Sequence, residues 1–317
     1  GDTTFRTAVS VHTGLNSLSL LQWGTEEQKQ KFLVPQAKGE KIGAFGLTEP
    51  GAGSDVAALT TSAKRDGDDY VLNGQKTWIS LCDQADHFLI FAYTDKQQGH
   101  KGISAFIVER KRAGFSSKAI KGKYGIRAGN TGELFMEDVH IPVDNRLGEE
   151  GEGFKIAMAS LDNGRFTVAA GACGLMMACL EASLDYCKIR TTFGKPIGEH
   201  QLVQQMLARM EAGYQMSRLL VYRAGELKNS GKRNTRETSL AKWQACDFAN
   251  QAADDAVQIH GAYGYSDDYP VARYLRNSKA PVIYEGTREI HTIMQADYVL
   301  GKRKDRELNR MLPAWPF

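Results

Sequence analysis

The hydrophobic period of this chain changes twice, and the order of the changes limits it to helix, then sheet, then helix. Residues 1–41 read as helix and turn. Val9 to Leu21 is uncharged apart from His12, and Gly24-Thr25-Glu26-Glu27-Gln28 reads as a helix stop followed by a newly capped helix. Across residues 42–150 the pattern shortens to alternation and brief apolar runs. Tyr70-Val71-Leu72 leads into Asn73-Gly74, a pair that predicts a hairpin turn, while His87 to Tyr93 and Gly102 to Val108 read as buried strands. This segment predicts an antiparallel β domain. The glycine-rich run Gly148-Glu149-Glu150-Gly151-Glu152-Gly153 closes it. Through residues 151–317 helical spacing returns: Ala241, Ala245, Phe248, Ala252, Ala256 and Ile259 step by three and four, as do Val203, Met206, Met210 and Tyr214. The last part predicts a helical bundle, and the whole an α+β fold.

Composition narrows the function classes. A net charge of +3 over 317 residues gives no basic stripe for nucleic acid, and Lys111-Arg112 and Lys302-Arg303-Lys304 read as solvated surface. The five cysteines, Cys82, Cys173, Cys179, Cys187 and Cys246, are odd in number and form no Cys-x-x-Cys pair, which predicts reduced thiols in a cytosol-like compartment. Seven scattered histidines lack the paired spacings of a zinc or iron site, so no metal is expected. No apolar run reads as long enough to span a bilayer, and no charged-then-apolar leader opens the chain, so no membrane partner is expected. The start at Gly1 rather than at methionine suggests a missing N-terminal portion.

Five stretches carry the candidate chemistry. Gly46-Leu47-Thr48-Glu49-Pro50-Gly51-Ala52-Gly53-Ser54-Asp55 packs turn formers, hydroxyls and carboxylates into ten residues after a strand-like segment. Its composition suits a ligand-holding loop and an ordinary loop equally. Val282-Ile283-Tyr284-Glu285-Gly286-Thr287 places an acid where a new helix begins, and by itself that acid reads as a helix cap. Trp78-Ile79-Ser80 reads on pattern alone as core packing with a surface serine. In Arg190-Thr191-Thr192-Phe193-Gly194-Lys195 a guanidinium and two hydroxyls could hold a pyrophosphate, whereas Gln258-Ile259-His260-Gly261-Ala262 could be a helix C-cap or a close pass by a ligand. Neither glycine cluster has the Gly-x-Gly-x-x-Gly spacing of a Rossmann site.

The first run, position by position through Ala58, resembles the first signature of the acyl-CoA dehydrogenases, FAD enzymes that oxidise the Cα–Cβ bond of acyl-CoA thioesters. The stretch from Gln258 through Asp268, Arg273 and Asn277 resembles their second signature, with Ala262 where glycine or serine is usual. The resemblance implies a remnant of the N-terminal helices over residues 1–41, a β-barrel or sandwich over 42–150 and a four-helix bundle over 151–317. It implies that Glu285 removes the substrate's α-proton. It also implies FAD contacts at Phe45, Leu47, Thr48, Gly53, Ser54, Trp78, Ile79 and Ser80, with Trp78 on the isoalloxazine ring and Ser80 facing N5, the hydride acceptor.

Further FAD contacts, some reached from a neighbouring subunit, are implied at Arg190, Thr192, Phe193, Gln201, Gln258, Gly261, Ala262, Thr287 and Glu289. Ser54, Asp162, Arg165, Tyr284 and Gly286 would bind the thioester, although Asp162 and Arg165, three apart, also suit a surface ion pair. Some relatives carry the base just before an arginine; here that position is Gly164, leaving Glu285 without a rival. The chemistry explains the residue type: burying a glutamate against an acyl chain raises its basicity, and donors at the thioester oxygen, among them the glutamate's own backbone N–H, stabilise the enolate. The expected product is a trans-2-enoyl-CoA, the expected electron acceptor an electron-transferring flavoprotein, and the expected assembly a homotetramer in the bacterial cytoplasm or mitochondrial matrix. The alternatives are an acyl-CoA oxidase using O2, a noncatalytic flavin-bound relative that binds DNA, and an inactive truncated fragment.

Overall fold

The structure, a computed structural model, describes residues 3–305, 310 and 312. They fall into two compact units. Among the described residues, one comprises 4–123, 127–164, 310 and 312, and the other Thr3, Tyr124–Ile126 and 165–305.

The first unit opens with helix α1 (Thr3–Val9), counted in this unit from Thr4, a π-helical stretch (Ser10–Ser17) and α2 (Leu18–Trp23). Gly24 ends α2, and Thr25 starts α3 (Glu26–Gln28) with a capping box: Thr25 Oγ1 accepts from Gln28 N–H while the Gln28 side chain accepts from Thr25 N–H. A second π stretch (Lys29–Leu33) and α4 (Val34–Ala37) complete the helices. The strands follow: β1 (Gly43–Gly46), β2 (Ser62–Asp66), β3 (Asp69–Ser80), β4 (His87–Tyr93), β5 (Ile103–Glu109), β6 (Phe115–Ala119), β7 (Thr131–Pro142) and β8 (Arg146–Leu147). They form an eight-stranded sheet in the order β6-β7-β3-β2-β4-β5-β8, with β1 alongside β4. All seven residues of β4 are buried, as in a strand covered on both faces.

Two expectations need correction here. The sheet is mixed rather than antiparallel, because β1 runs parallel to β4 with Gly43 opposite His87, and β2 touches β4 in the same sense. A parallel pair requires a long connection, and β2 and β3 lie between β1 and β4 in sequence. Asn73-Gly74 is not a turn. β3 passes straight through it, and Gly74, at φ +149°, sits where the pairing with β7 slips between Leu72 and Gly74. A Cβ there would lie 2.5 Å from Thr61 Oγ1, so the glycine serves a bulge and a close approach. The hairpin turn is Gly67-Asp68, between the paired Asp66 and Asp69, with Gly67 at φ +59°.

The second unit is helical. α5 (Gly153–Ile189), counted in this unit from Arg165, leads through the β9–β10 hairpin (Thr191–Thr192, Lys195–Pro196) to α6 (Gln201–Asn229), α7 (Thr235–His260), α8 (Val271–Ile283) and α9 (Arg288–Val299). α7 packs against α6, α8 and α9, presenting the small residues Ala241, Ala245, Ala249, Ala252 and Ala256 to the core. Ile126 belongs to this unit through a 2.7 Å hydrogen bond from its N–H to Asn277 Oδ1. α5 corrects a third expectation: by length and composition it could cross a membrane. Half of its apolar window is buried, and Val168, Ala172, Met176 and Cys179 lie in the core of the helical unit, so bundle packing accounts for its apolar character.

Candidate active site

In the sheet unit, the loop after β1 is tied down from beneath by a buried ion pair. Glu49 Oε1 accepts from Lys76 Nζ at 2.8 Å and from Thr61 N–H at 3.0 Å, and Glu49 Oε2 accepts from the N–H and hydroxyl of Thr60. Burial alone would raise the Glu49 pKa, but Lys76 and the threonine donors outweigh it and hold it at about 2. Lys76 is itself lowered by burial and partly restored by Glu49. Its ammonium also donates to the Leu47 carbonyl at 3.2 Å, and Thr77 N–H donates to Thr48 O at 2.9 Å. These bonds lock the loop to the end of β3.

Trp78 stands at that end. It has φ +60°, rare for a bulky residue, and its indole is 59% exposed although Lys76, Thr77 and Ile79 around it are buried. The left-handed turn breaks the strand alternation where the β3–β7 register slips between Lys76 and Ile79, and so aims the ring outward. Beyond it Leu81 is also left-handed, and Arg110 holds the following turn by donating to the carbonyls of Cys82 and Ala85. Thr48 and Ser80 are half-buried near the indole's backbone, and Gly53 and Ser54 are exposed on the loop. Phe45, Leu47 and Ile79 turn their side chains into the core, so what they offer a ligand is backbone. An exposed aromatic plane on a rigid base, with the hydroxyl residue Ser80 two positions along the chain, could hold an isoalloxazine ring.

In the helical unit, Glu285 lies between α8 and α9, with φ +54°, followed by Gly286 at +94°. It is not the helix cap. Thr287 is, its hydroxyl accepting from Ile290 N–H, with Glu289 exposed in the first turn of α9. The backbone that follows Glu285 is anchored twice: buried Arg165 donates from Nε to the Glu285 carbonyl at 3.1 Å, and Lys242 donates from Nζ to the Gly286 carbonyl at 2.6 Å. Beneath the turn lies His291, fully buried, with Nδ1 2.8 Å from Ser239 Oγ. Burial first, then the charges of Lys242 and Arg165, push its pKa down to about 3, so the ring is neutral. Tyr284 packs at the core edge.

The same unit brings together two stretches far apart in sequence. Tyr186 stacks on His260 at 4.3 Å, and Tyr269 meets both rings, which joins the end of α5 to the end of α7. Beyond Tyr186 the hairpin exposes Arg190 and projects Phe193 at its left-handed tip, and Thr192 Oγ1 is 3.0 Å from His200 Nε2. Gln201 is exposed at the start of α6. Gln258 lies in the last turn of α7, its carbonyl accepting from Gly261 N–H, and Gly261 and Ala262 are exposed just beyond the helix. Asp162 is half-buried on α5 in the sheet unit.

Sequence reasoning missed Lys76, Lys242, His291 and the burial of Glu49. For Lys242 the only signal was a charge beside the helically spaced alanines Ala241 and Ala245.

Comparison with known proteins shows the family. Models of the acyl-CoA dehydrogenase N-terminal, middle and C-terminal domains match residues 1–40, 44–139 and 151–300. The chain belongs to the acyl-CoA dehydrogenase family. It is 46% identical over 286 residues, 90% of its length and 76% of the relative's, to the short-chain specific acyl-CoA dehydrogenase of Clostridium acetobutylicum. Butyryl-CoA dehydrogenase from Megasphaera elsdenii superposes with a TM-score of 0.92 at 44% identity, covering 94% of this chain and 78% of that one. A glutaryl-CoA dehydrogenase from Mycobacterium smegmatis in complex with FADH2 superposes with a TM-score of 0.90 at 34% identity, covering 96% and 77%. The fold is that of acyl-CoA dehydrogenases, the cofactor is FAD, and the chain is an oxidoreductase of acyl-CoA metabolism. Tetramers are typical of the family.

Proposed function

We propose that this chain oxidises a short acyl-CoA thioester to its trans-2-enoyl-CoA, with Glu285 as the base that takes the α-proton. The observation that carries the reading is the anchored left-handed turn at Glu285, a glutamate whose own carbonyl and the next are both held by buried cations. Backbone strain of this kind, over-determined by its surroundings, marks functional sites. The Glu285 carboxylate accepts the α-proton, and its backbone N–H is the donor offered to the thioester oxygen. FAD supplies the hydride acceptor. Trp78 gives the flavin a plane to pack on, Ser80 and Thr48 give it hydroxyls, and the Glu49–Lys76 pair keeps that platform from shifting. Arg190, Thr192, Phe193, Gln201, Gln258, Gly261 and Ala262 bind the remainder of FAD, with Thr287 and Glu289, and Ser54, Asp162, Arg165, Tyr284 and Gly286 hold the thioester.

The short-chain preference is supported by the Clostridium and Megasphaera relatives. A homotetramer is supported by the exposed apolar side chains of Phe193, Leu202, Met216, Leu219, Tyr222 and Tyr265 in the helical unit. Following the family resemblance, an electron-transferring flavoprotein accepts the electrons, in a bacterial cytoplasm or a mitochondrial matrix. The test is anaerobic titration of the flavin-loaded protein with butyryl-CoA and longer, branched and dicarboxylic thioesters. Bleaching of the flavin band by butyryl-CoA at the lowest concentration supports the reading, and bleaching by none of them overturns it.

A further inference from the structure

We propose that Lys242 is a positioning residue for the Glu285 turn, its buried ammonium fixing the Gly286 carbonyl and with it the direction in which Glu285 presents its carboxylate. The inference rests on the reading of Glu285 as the base.

Lys242 lies on the core face of α7, between the fully buried Ala241 and Ala245, and is itself only 1% exposed. A lysine rarely lies so deep unless a specific bond compensates the lost hydration. Here that bond is the 2.6 Å contact to Gly286 O, made 44 residues along the chain. A core helix that needed only packing at this position would be served by an apolar side chain, so the charge calls for a separate explanation.

The turn supplies it. Glu285 and Gly286 are both in the left-handed region, and nothing in their local sequence favours that conformation for a glutamate. Arg165, from α5, fixes the peptide plane that follows Glu285, and Lys242, from α7, fixes the plane that follows Gly286. With both planes held, the turn cannot relax into a continuation of α8. From α9, His291 fills the space beneath Gly286: a Cβ added there would lie 2.9 Å from its Nε2. Three helices thus clamp two residues. The clamp also has an electrostatic side, because Lys242 interacts with Glu285 through space, as well as with Cys246 and Asp247 on its own helix, Arg165 on α5 and His291 on α9. The neutral state of His291 keeps a third positive charge out of this cluster.

The experiment uses the full flavin-loaded protein and three variants: Lys242→Met, Lys242→Gln and Glu285→Gln. Flavin content, thermal midpoint, the rate of anaerobic bleaching at saturating butyryl-CoA, the half-saturating concentration and the pH profile of the rate are measured for each. For Lys242→Met we expect wild-type flavin content, a saturating rate lower by roughly tenfold or more, and a half-saturating concentration changed by less than about threefold. The acid limb of the pH profile moves to higher pH, because the positive charge that favoured the ionised glutamate is gone. Lys242→Gln, which keeps a donor and loses the charge, is intermediate in rate and shares the shifted limb. A merely structural lysine would move the thermal midpoint and leave the saturating rate of the folded, flavin-loaded variant within about threefold of wild type.

A wild-type saturating rate with an unshifted limb in Lys242→Met overturns the inference. Should that variant fail to fold, the same result in Lys242→Gln overturns it. Glu285→Gln separates the two levels. If it bleaches normally, the reading of Glu285 has failed; if it is inert while the Lys242 variants behave as wild type, only the role of Lys242 has failed.

Discussion

Two loops of this molecule solve the same problem with different electrostatics. Each carries a non-glycine residue in the left-handed region, Trp78 at φ +60° and Glu285 at +54°, and each is tethered by a buried lysine on a backbone carbonyl. In the sheet unit Lys76 is neutralised at 2.8 Å by Glu49, whose remaining lone pairs are taken by Thr60 and Thr61. That cluster is closed, and its field is spent internally. In the helical unit Lys242 rests on the Gly286 carbonyl, with Arg165 nearby and Glu285 interacting at longer range. A loop that must stay still can neutralise its anchor, whereas a loop bearing an ionisable functional group leaves the anchor's charge to act on that group.

The comparison breaks first under removal of Glu49. Glu49→Ala leaves the Lys76 ammonium buried without its partner, and we expect a loss of about 3–5 kcal/mol in denaturant unfolding of the sheet unit, with release of flavin. A loss under about 1 kcal/mol would show that the cluster does not hold the platform.

Gly286→Ala acts on the other loop. The added methyl meets His291 Nε2 at 2.9 Å in a residue at φ +94°, so flavin should stay bound while bleaching slows by about a hundredfold. Stopped-flow measurement at saturating thioester reads it, and an unchanged rate would mean that the turn geometry does not matter.

Acid sharpens the contrast. Glu49 is depressed, to about 2, so its contribution is complete above its ordinary value of 4.5 and lost only as pH falls toward 2. His291 is also depressed, to about 3, but it is a base held neutral. The unfolded chain binds its proton from about pH 6.5 downward, and stability falls with pH across the window from 6.5 to 3. In the sheet unit burial likewise holds His87 neutral, at about 4, so both units begin to lose stability below about pH 6.5, and the helical unit goes on losing it to lower pH. His291→Gln should flatten the stability curve above pH 4.5, and a slope equal to wild type there would remove His291 from the account.

The smallest effect on stability is expected at Trp78. With the indole 59% exposed, Trp78→Ala should change unfolding by less than about 1 kcal/mol, yet it should weaken flavin retention and shift the visible spectrum. Equal flavin affinity in the variant would mean that the ring is not the flavin's platform.

The order of helix, sheet and helix was legible because each period, 3.6 or 2, runs long enough to be distinctive, and the capping box at Thr25–Gln28 announced itself locally. Asn73-Gly74 misled because the pair that makes a tight turn also suits a bulge, and the Thr61 side chain that decides the matter comes from another strand. The parallel pairing of β1 with β4 left no mark on either strand's alternation. In the site, the Tyr284-Glu285-Gly286-Thr287 stretch could be read through its resemblance. Lys242 could not, because what distinguishes it is a carbonyl 44 residues away, and for Arg165 the resemblance implied a thioester contact but gave no sign of its bond to the Glu285 carbonyl, 120 residues away.

The most direct test of the central claim is the anaerobic flavin spectrum of Glu285→Gln with butyryl-CoA, recorded beside wild type. The account predicts equal flavin content in both proteins, bleaching in wild type and none in the variant. Bleaching of Glu285→Gln at the wild-type rate would contradict it.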